Sequence, residues 1–300
     1  MERPFLDFLA QLRPTDRRTR VGIGDDGAVL DWTTHPNCVV TSDLIAEGTH
    51  FETSEANDGR AIGRKALAVN LSDLAAMGAV PRAATVALLL NRKTAEPLAR
   101  DITFGIVELA QEYHVEVVGG DTNTWAGGTV ICVTAFGEVP GGTAWLRSGA
   151  KEGDVIVVTG ALGGSRLGHH LQFNPRVREA LANRNHVQIN AAMDISDGLS
   201  IDLSRMARAS GVGACYDRNS IPVADAAVRL SEQDGVSPID HALFDGEDFE
   251  LLLAVPKSSM PKLLALKLGV PLSSIGEFVT DEGLWERHGD AVRSVLPQGY

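Results

Sequence analysis

The sequence predicts an α/β fold, of the α+β kind, divided into two domains. Strand-like apolar runs alternate with an amphipathic helical pattern, and a stretch rich in glycine and proline lies near the middle of the chain. The composition agrees, because 44% of the 300 residues are hydrophobic and 22% are charged, as in ordinary globular proteins.

Five apolar runs predict strands, over residues 38–41, 83–90, 115–118, 129–136 and 155–159. Between the second and third run, apolar residues recur every three or four positions from Leu98 to Tyr113, which predicts an amphipathic helix. In the second half we expect a helix over residues 199–210 that ends at Gly211, a strand over 249–255 and a helix over 261–268. Residues 140–154 are rich in glycine, proline and polar side chains, so we place the amino-terminal domain at 1–146 and the carboxyl-terminal domain at 147–300.

The charge balance narrows the classes of partner. There are 27 Lys and Arg against 39 Asp and Glu, a formal net charge of −12, which disfavours nucleic acids and anionic membranes. No apolar run reaches the roughly 18 residues of a membrane span, and the first residues lack the pattern of a secretory signal. Cys38, Cys132 and Cys215 show no disulfide or metal-binding spacing. We therefore expect a cytoplasmic protein with reduced cysteines and no nucleic-acid or membrane partner.

The acidic residues carry the functional signal. They stand beside apolar runs or glycine turns in six segments: VGIGDDGAVL, VVTSDLIAEGTHF, AVNLSDLAAMGA, VVGGDTN, AAMDISDGL and FDGEDFELLLAV. A carboxylate next to buried backbone is costly unless it is paired or bound to metal, and Lys and Arg are scarce in these segments. Mg²⁺ prefers oxygen ligands and is normally shared between a few carboxylates and substrate phosphates. We therefore expect Mg²⁺ and ATP to bind together at Asp26, Asp43, Asp73, Asp121, Asp194 and Asp197.

Each of these segments also has a simpler structural interpretation. Asp73 could be a solvent-facing helical acid, Asp121 could form an Asx turn, and Asp197 could cap the helix that begins near Leu199. His50 on its own is more often a packed polar residue than a ligand. The glycine turn TGALGGS could be only a tight helix entry, or its backbone amides could meet phosphate.

Other phosphate-binding signatures are weak or missing. GIGDDG matches the dinucleotide pattern GxGxxG formally, but its two aspartates would face a pyrophosphate. The sequence contains no GxxxxGK[ST] motif and lacks the HRD and DFG signatures of protein kinases. The P-loop and protein-kinase classes are therefore excluded, and the dinucleotide-binding interpretation of GIGDDG is weak.

Taken in order, GIGDDGAVL, TSDLIAEGTHF, KALAVNLSDLAAMGAVP, VVGGDTN, RSGAKEGD, VTGALGGS, MDISDGLSIDL and DGEDFELLLAV resemble the motif series of the bacterial thiamine-monophosphate kinase family. That family belongs to the aminoimidazole-ribonucleotide-synthetase-like (PurM-like) superfamily. The resemblance implies ATP-dependent phosphorylation of thiamine monophosphate to thiamine diphosphate. It also implies a homodimer whose amino-terminal ATP- and Mg²⁺-binding domains join their sheets into a shared β-barrel.

The resemblance also implies roles for individual residues. A phosphate monoester is already anionic at neutral pH, so we expect direct in-line transfer assisted by Mg²⁺, with no general base. Substrate-side positions fall at His50 and Glu247. Nucleotide contacts fall at Tyr113, Gly120, Asp121, Arg147 and Ser196. Metal positions fall at Asp26, Thr41, Ser42, Asp43, Asp73, Asp121, Asp194 and Asp197.

The chain departs from the family pattern in three places. HHLQFNPR follows the glycine turn almost at once, which predicts a trimmed second domain, and FDGEDFEL replaces GGGEDYEL. The family's carboxyl-terminal aromatic residue beside the thiamine is not evident, which leaves Trp285 and Tyr300 as candidates. Otherwise, the residues after Val255 carry little functional information.

Two alternative functions stay open. The chain could be a PurM-like enzyme that acts on a different phosphorylated small molecule, or a catalytically inactive nucleotide-binding regulator. The hydrogenase-maturation and selenophosphate enzymes of the superfamily use terminal cysteine or selenocysteine residues, which the positions of the three cysteines do not match.

Overall fold

The protein is described here by a computed structural model, which covers residues 19–21, 28–30, 37–53, 59–93, 95–139, 143–184 and 186–300. The chain forms two compact units, Met1–Ala144 and Trp145–Tyr300. The GIGDDG segment, with the predicted metal ligand Asp26, lies outside the described residues.

The amino-terminal unit contains an open six-stranded sheet in the order β1-β2-β3-β6-β4-β5. Its neighbouring strands are antiparallel, except that β4 and β5 are parallel. The strands are longer than the apolar runs that predicted them, because polar residues such as Ser42 continue the strand. Their bounds are β1 Thr19–Val21, β2 Ala28–Leu30, β3 Cys38–Ala46, β4 Val80–Asn91, β5 Glu116–Trp125 and β6 Val130–Glu138.

Two long helices, α1 (Gly59–Ala76) and α2 (Ala95–Glu112), pack on each other and contribute to the core of this unit. The predicted helical stripe is largely buried, since Ile102 and Ile106 are inaccessible to solvent. A Cβ on Gly63 would lie 2.0 Å from the carbonyl oxygen of Ile102, and one on Gly105 would lie 1.9 Å from that of Arg60. The missing side chains therefore let the two helix backbones touch.

The two faces of this sheet differ in burial. On β6, Ile131, Val133 and Ala135 are buried on the helix side, while the residues between them are partly exposed. The opposite face carries apolar side chains that no described residue of the unit covers, among them Leu44 at 56% exposure. Val118 and Trp125, on the edge strand β5, are also exposed. The described strands do not close into a barrel.

The carboxyl-terminal unit contains a seven-stranded sheet in the order β13-β12-β9-β11-β7-β10-β8. All neighbouring pairs are antiparallel except β9 and β12, which are parallel. The strands are β7 Val155–Thr159, β8 Ala191–Asp194, β9 Gly213–Asp217, β10 Leu251–Val255, β11 Leu272–Val279, β12 Gly283–His288 and β13 Ala291–Val295.

The core of this unit lies between the sheet and its helices. Leu203 and Met206 of α5 pack into one cluster with strand residues such as Ile156, Met193 and Phe278. Helix α5 ends where the sequence predicts, at Gly211, whose φ of 69° suits a residue without a side chain. The helices are α3 His169–Gln172, α4 Val177–Arg184, α5 Leu199–Ser210, α6 Asp225–Asp234, α7 Pro238–Phe244 and α8 Met260–Ala265.

His241 links α6 to α7. Its Nδ1 atom lies 2.9 Å from a carboxylate oxygen of Asp245, and its Nε2 atom lies 3.2 Å from one of Asp234. Burial lowers the pKa of His241, but the hydrogen bonds and charges of Asp245 and Asp234 outweigh this effect and raise it. The charged imidazolium therefore stabilises this corner of the unit.

Two further findings concern the whole described chain. The three cysteines are free thiols, of which Cys215 is buried. None of the helices in the described ranges has the length and apolar character needed to cross a membrane.

The close packing of α1 and α2 predicts the effect of adding one methyl group. We expect Gly63→Ala to lower the free energy of unfolding by about 2 kcal/mol, because overpacking costs about 1–3 kcal/mol and the gain in helix propensity is at most about 1 kcal/mol. Urea unfolding followed by circular dichroism measures this difference. Gln111→Ala, on the exposed side of α2, is the control, and an equally small effect of both substitutions would contradict the packing argument.

The His241 contacts predict a pH-dependent stability. Because the pKa of His241 is raised on folding, its contribution is complete below the unfolded value of about 6.5 and is lost as the pH rises through the folded value. We therefore expect His241→Gln to destabilise the protein more near pH 6 than near pH 8.5 in urea unfolding. The exposed His186 offers the control His186→Gln, and a pH-independent difference for His241→Gln would be evidence against the ion pairs.

Candidate active site

One group of predicted metal ligands comes together between β3 and α1. The hydroxyl of Thr41 donates a hydrogen bond to a carboxylate oxygen of Asp73, near the end of α1. Asp43 is two residues after Thr41, so it shares the helix side of the sheet. The mostly uncharged residues three and four positions from Asp73 along the chain are buried: Val69, Asn70, Ala76 and Met77. The structure therefore places one hydroxyl and two carboxylates in neighbouring positions.

Ser42 points to the other face of the sheet. Its hydroxyl lies 2.9 Å from that of Thr134 on β6 and is exposed. The alternation of side chains along a strand thus separates Ser42 from Thr41 and Asp43, which the family resemblance groups together.

Asp121 lies on β5, three strands away from β3 in the sheet. It pairs with Ala87 of β4, and β4 and β6 stand between it and β3. With strands about 4.8 Å apart, the backbones of Asp43 and Asp121 are separated by roughly 14 Å. The preceding Gly120 must lack a side chain, because a Cβ there would lie 1.8 Å from the carbonyl oxygen of Val86. One Mg²⁺ ion cannot contact both carboxylates within this sheet, since its ligand oxygens lie about 2 Å away.

His50 is held in the turn that follows β3. Its Nδ1 atom accepts a hydrogen bond from the backbone N–H of Ala46, at 3.1 Å. Its carbonyl oxygen accepts one from Nζ of Lys65, at 2.7 Å, and Lys65 is fully buried. Lys65 is a positioning group that the sequence argument missed, although it opens the KALAVNLSD segment.

Two further predicted nucleotide contacts are Tyr113 and Arg147. Tyr113 is buried just after α2, as the last residue of the predicted helical stripe. Arg147, in the carboxyl-terminal unit, is partly buried, and its carbonyl oxygen accepts a hydrogen bond from the Ser210 hydroxyl at 3.3 Å.

In the carboxyl-terminal unit, the DISDGL segment forms a turn between β8 and α5. Asp194 is buried at the end of β8, and Ser196 and Asp197 follow it. Helix α5 has Gly198 as its N-cap, without a side-chain capping bond, so Asp197 does not cap this helix. Instead, a carboxylate oxygen of Asp202 accepts the backbone N–H groups of Ser196 and Asp197, at 3.1 and 2.9 Å. Burial and the charge of Asp197 raise the pKa of Asp202 to about 7, against the opposing effect of Arg205.

The DGEDFEL segment lies against this turn. The backbone N–H of Glu247 donates to the carbonyl oxygen of Ser196 at 2.7 Å, and that of Phe249 donates to Ile195 at 2.8 Å. Both Glu247 and Phe249 have positive φ angles, 55° and 52°, which side chains disfavour. Phe249 is fixed further by stacking on Phe173, with ring centroids 4.1 Å apart. The predicted substrate-side residue Glu247 is therefore held in a strained and firmly anchored backbone.

The glycine turn TGALGGS packs on the same segment. The N–H of Gly163 donates to Asp248 at 2.8 Å, and that of Gly164 donates to Asp245 at 2.9 Å. Burial raises the pKa of Asp248 well above its usual range; the Gly163 hydrogen bond opposes this and the nearby carboxylates add to it. These amides are therefore occupied by carboxylates, and the interpretation that they meet phosphate is wrong.

Glu250 is the most completely paired acid of the segment. Arg176 binds both of its carboxylate oxygens, and Thr159 donates a hydroxyl hydrogen bond at 2.5 Å. The cost of burying this carboxylate is compensated by Arg176 and Thr159, so Glu250 needs no metal ion as a partner.

Of the two aromatic candidates, Tyr300 lies at this site. Its backbone N–H donates to the carbonyl oxygen of Asp197 at 2.8 Å, and its Cβ is close to Gly246. The Arg166 guanidinium lies over its ring, 4.7 Å from the centroid. Trp285 instead donates its indole N–H to Asp281 at the start of β12. Tyr300, which follows Val255 in the sequence, therefore lies beside the Ser196–Asp197 turn.

The donor set fits Mg²⁺. All of the predicted ligands offer oxygen, and across the described ranges no group of three or more His, Cys, Asp or Glu side chains is arranged to hold an ion alone. Mg²⁺ suits such a site, because it keeps several waters and takes one or two carboxylates together with substrate phosphates. The ligands Thr41, Asp43 and Asp73 would serve in the amino-terminal unit, and Asp194 and Asp197 in the carboxyl-terminal unit.

Comparison with known proteins identifies the family. The model of the AIR synthase related protein N-terminal domain matches residues 24–139, and that of the C-terminal domain matches residues 164–285. A thiamine-monophosphate kinase from Rhodopirellula baltica is 42% identical over 306 residues, covering 98% of this chain and 95% of that protein. The protein of the same name from Escherichia coli K12 is 36% identical over 310 residues, covering 95% and 93%.

The solved structures agree with the sequence relatives. The complex of AaThiL with AMPPCP and TMP has a TM-score of 0.85 at 28% identity, and the match covers 99% of this chain and 96% of that one. The prediction of a two-domain PurM-like α/β fold is confirmed. The chain belongs to the thiamine-monophosphate kinase family.

Proposed function

We propose that this protein transfers the γ-phosphoryl group of ATP to thiamine monophosphate, which gives thiamine diphosphate and ADP. The family membership supports this reaction, at 42% identity to a thiamine-monophosphate kinase over nearly the whole chain. The fold neighbour AaThiL holds AMPPCP, an analogue of ATP, together with TMP. We place the reaction in the cytoplasm, following the prediction from the cysteine pattern.

One observation supports the site assignment most directly. The turn at Ser196 and Asp197, which we assign to the nucleotide and its metal, is hydrogen-bonded through its carbonyl groups to Glu247 and Tyr300. We assign these last two residues to the acceptor. A buried carboxylate and an aromatic residue anchored on one turn suit a cationic heteroaromatic compound such as thiamine. Groups for donor and acceptor therefore meet on one short segment of a single unit.

The chain's own groups mainly orient the reactants. The acceptor phosphate is anionic at neutral pH, so no side chain has to remove a proton from it. Thr41 fixes Asp73 by a hydrogen bond, and the anchored backbone at Glu247 fixes its carboxylate. Mg²⁺, when bound, would neutralise charge on the phosphoryl oxygens. Catalysis then comes from alignment and charge neutralisation rather than from a general base.

We further propose that two copies of the chain pair and form a shared barrel. They would pair through the face of the amino-terminal sheet opposite its helices, called the bare face here, which carries Ser42 and Leu44. Exposed apolar residues such as Leu44, Val118 and Trp125 favour burial against a second copy. A second copy would also bring an Asp121 near an Asp43, which a single sheet keeps three strands apart. We therefore assign dimerisation and part of the ATP and Mg²⁺ binding to the amino-terminal domain, residues 1–146. The carboxyl-terminal domain is residues 147–300.

The reaction is tested by incubating the protein with ATP and Mg²⁺, with and without thiamine monophosphate. We expect ADP release that depends on the acceptor, with thiamine diphosphate identified by mass spectrometry. If ATP binds but no thiamine diphosphate forms, the acceptor assignment fails and other phosphorylated metabolites become the candidates. If there is no turnover with any phosphorylated acceptor, the chain is a nucleotide-binding regulator.

The metal assignment predicts that Asp43→Asn or Asp121→Asn abolishes turnover without changing urea unfolding, because each removes an anionic ligand of Mg²⁺. Asp101→Asn, at an exposed position on α2, is the matched control. If one site uses Asp43 of one copy and Asp121 of the other, a mixed dimer of the two variants contains one intact site. Mixing the inactive variants should therefore restore part of the activity, and near-normal rates in either variant alone would refute the assignment.

The position of Tyr300 predicts a specific defect in acceptor binding. Loss of a stacking ring corresponds to about tenfold weaker binding, so we expect Tyr300→Ala to raise KM for thiamine monophosphate by about that factor, with a smaller change in kcat. Tyr300→Phe should keep the wild-type KM. Trp285→Phe is the control for the other candidate, and a raised KM in that variant with a normal Tyr300→Ala would reverse the assignment.

A further inference from the structure

Asp202 lies in the first turns of α5, with its side chain directed back past the helix start. It is fully buried, and one of its carboxylate oxygens accepts the N–H groups of both Ser196 and Asp197. These two residues precede the N-cap Gly198, so the bonds hold the turn outside the helix rather than the helix itself.

Arg205 extends this arrangement to the side chain of Asp197. One guanidinium nitrogen, Nη1, donates to the second carboxylate oxygen of Asp202 at 2.8 Å and also to the carboxylate of Asp197. Asp202 therefore fixes the backbone of the turn directly, and Arg205, anchored on Asp202, sets the direction of the Asp197 carboxylate.

The carbonyl oxygens of the same turn bind the two residues that we assign to the acceptor. The carbonyl oxygen of Ser196 accepts the N–H of Glu247, and that of Asp197 accepts the N–H of Tyr300. A movement of this turn consequently displaces groups assigned to the nucleotide and groups assigned to the acceptor at the same time.

Stability alone does not account for a carboxylate at this position. Burying an ion pair is often no better for stability than packing apolar residues of similar size, and the neighbouring core positions Leu199 and Leu203 are apolar and fully buried. The carboxylate of Asp202, in contrast, accepts its hydrogen bonds from the turn and from Arg205. The residue thus fixes geometry that an apolar side chain could not.

We infer that Asp202 and Arg205 are positioning residues, which hold the Ser196–Asp197 turn so that the nucleotide side and the acceptor side keep a common geometry. This inference rests on the proposed function for its kinetic consequences, whereas its structural part concerns the turn itself.

Three variants separate the contributions. Asp202→Ala removes both sets of bonds, whereas Arg205→Met removes the guanidinium from the carboxylates of Asp197 and Asp202 and leaves the two backbone bonds of Asp202 in place. Asp202→Asn keeps a carbonyl oxygen for the two amides but turns an NH₂ group toward Arg205. The matched control is Asp154→Asn, since Asp154 is another buried acid of this unit that accepts a backbone N–H, from Lys151, and an Asn190 side chain outside the site.

The first measurement is amide hydrogen exchange over residues 194–198 in the protein without ligands. We expect Asp202→Ala to speed exchange at Ser196 and Asp197 by about tenfold or more, Asp202→Asn to restore part of the protection, and Arg205→Met to leave these amides protected. If Asp202→Ala does not fold, the contrast between Asp202→Asn and Arg205→Met decides. Unchanged exchange in both Asp202 variants overturns the inference, whether or not the protein proves to be a kinase.

The second measurement is steady-state kinetics with ATP and thiamine monophosphate. We expect Asp202→Ala to raise KM for both substrates by about tenfold, Asp202→Asn to recover much of this loss, and Arg205→Met to raise mainly KM for ATP. Asp154→Asn should lower stability and leave both KM values unchanged. Equal kinetic defects in Asp154→Asn and Asp202→Ala would show a general structural effect and overturn the positioning role. A wild-type protein that makes no thiamine diphosphate refutes the proposed function, while the exchange experiment still decides the role of Asp202.

Discussion

The geometry of the carboxyl-terminal site depends on one short turn whose peptide groups are hydrogen-bonded on both sides. The N–H groups of Ser196 and Asp197 are taken by Asp202, and their carbonyl oxygens are taken by Glu247 and Tyr300. Each peptide has one donor and one strong acceptor, so little freedom is left to the turn. Such surroundings also explain the positive φ angle of Glu247, because a strained backbone persists only where neighbouring contacts fix it.

Much of the fold could be predicted from the sequence, because buried apolar residues recur at regular spacings along helices and strands. Strand β7 and helix α5, which ends at Gly211, coincide with the predicted bounds, and β3 extends beyond its apolar run because polar residues alternate along it. The site was harder to predict. Tyr300 belongs to no sequence motif, and Asp202 looks like an ordinary acidic residue near a helix start, where such residues are common. Only the folded chain shows that these two residues meet the same turn.

The acidic residues divide into two kinds that the sequence cannot separate. Asp248 and Glu250 stand beside the apolar strand β10, as predicted metal ligands do, yet Gly163 donates to one carboxylate oxygen of Asp248 and Arg176 binds both oxygens of Glu250. The scarcity of Lys and Arg in an acidic segment is therefore weak evidence for a metal, because the compensating donor can come from a distant part of the chain. Asp73 offers a different kind of contact, because its carboxylate accepts a hydrogen bond from the Thr41 hydroxyl.

The amino-terminal sheet separates the three residues of the TSD sequence, and this separation bears on the proposed dimer. Thr41 and Asp43 face the helices, whereas Ser42 faces the bare side of the sheet, where its hydroxyl contacts Thr134. One ion cannot be reached by side chains on both faces of a single sheet, since successive side chains of a strand point in opposite directions. In a dimer closed through the bare face, Ser42 would lie on the covered side of the sheet. The presence of Ser42 in the motif is then explained by a position inside the barrel, whereas Asp43 and Asp73 stay on the helix side of the sheet.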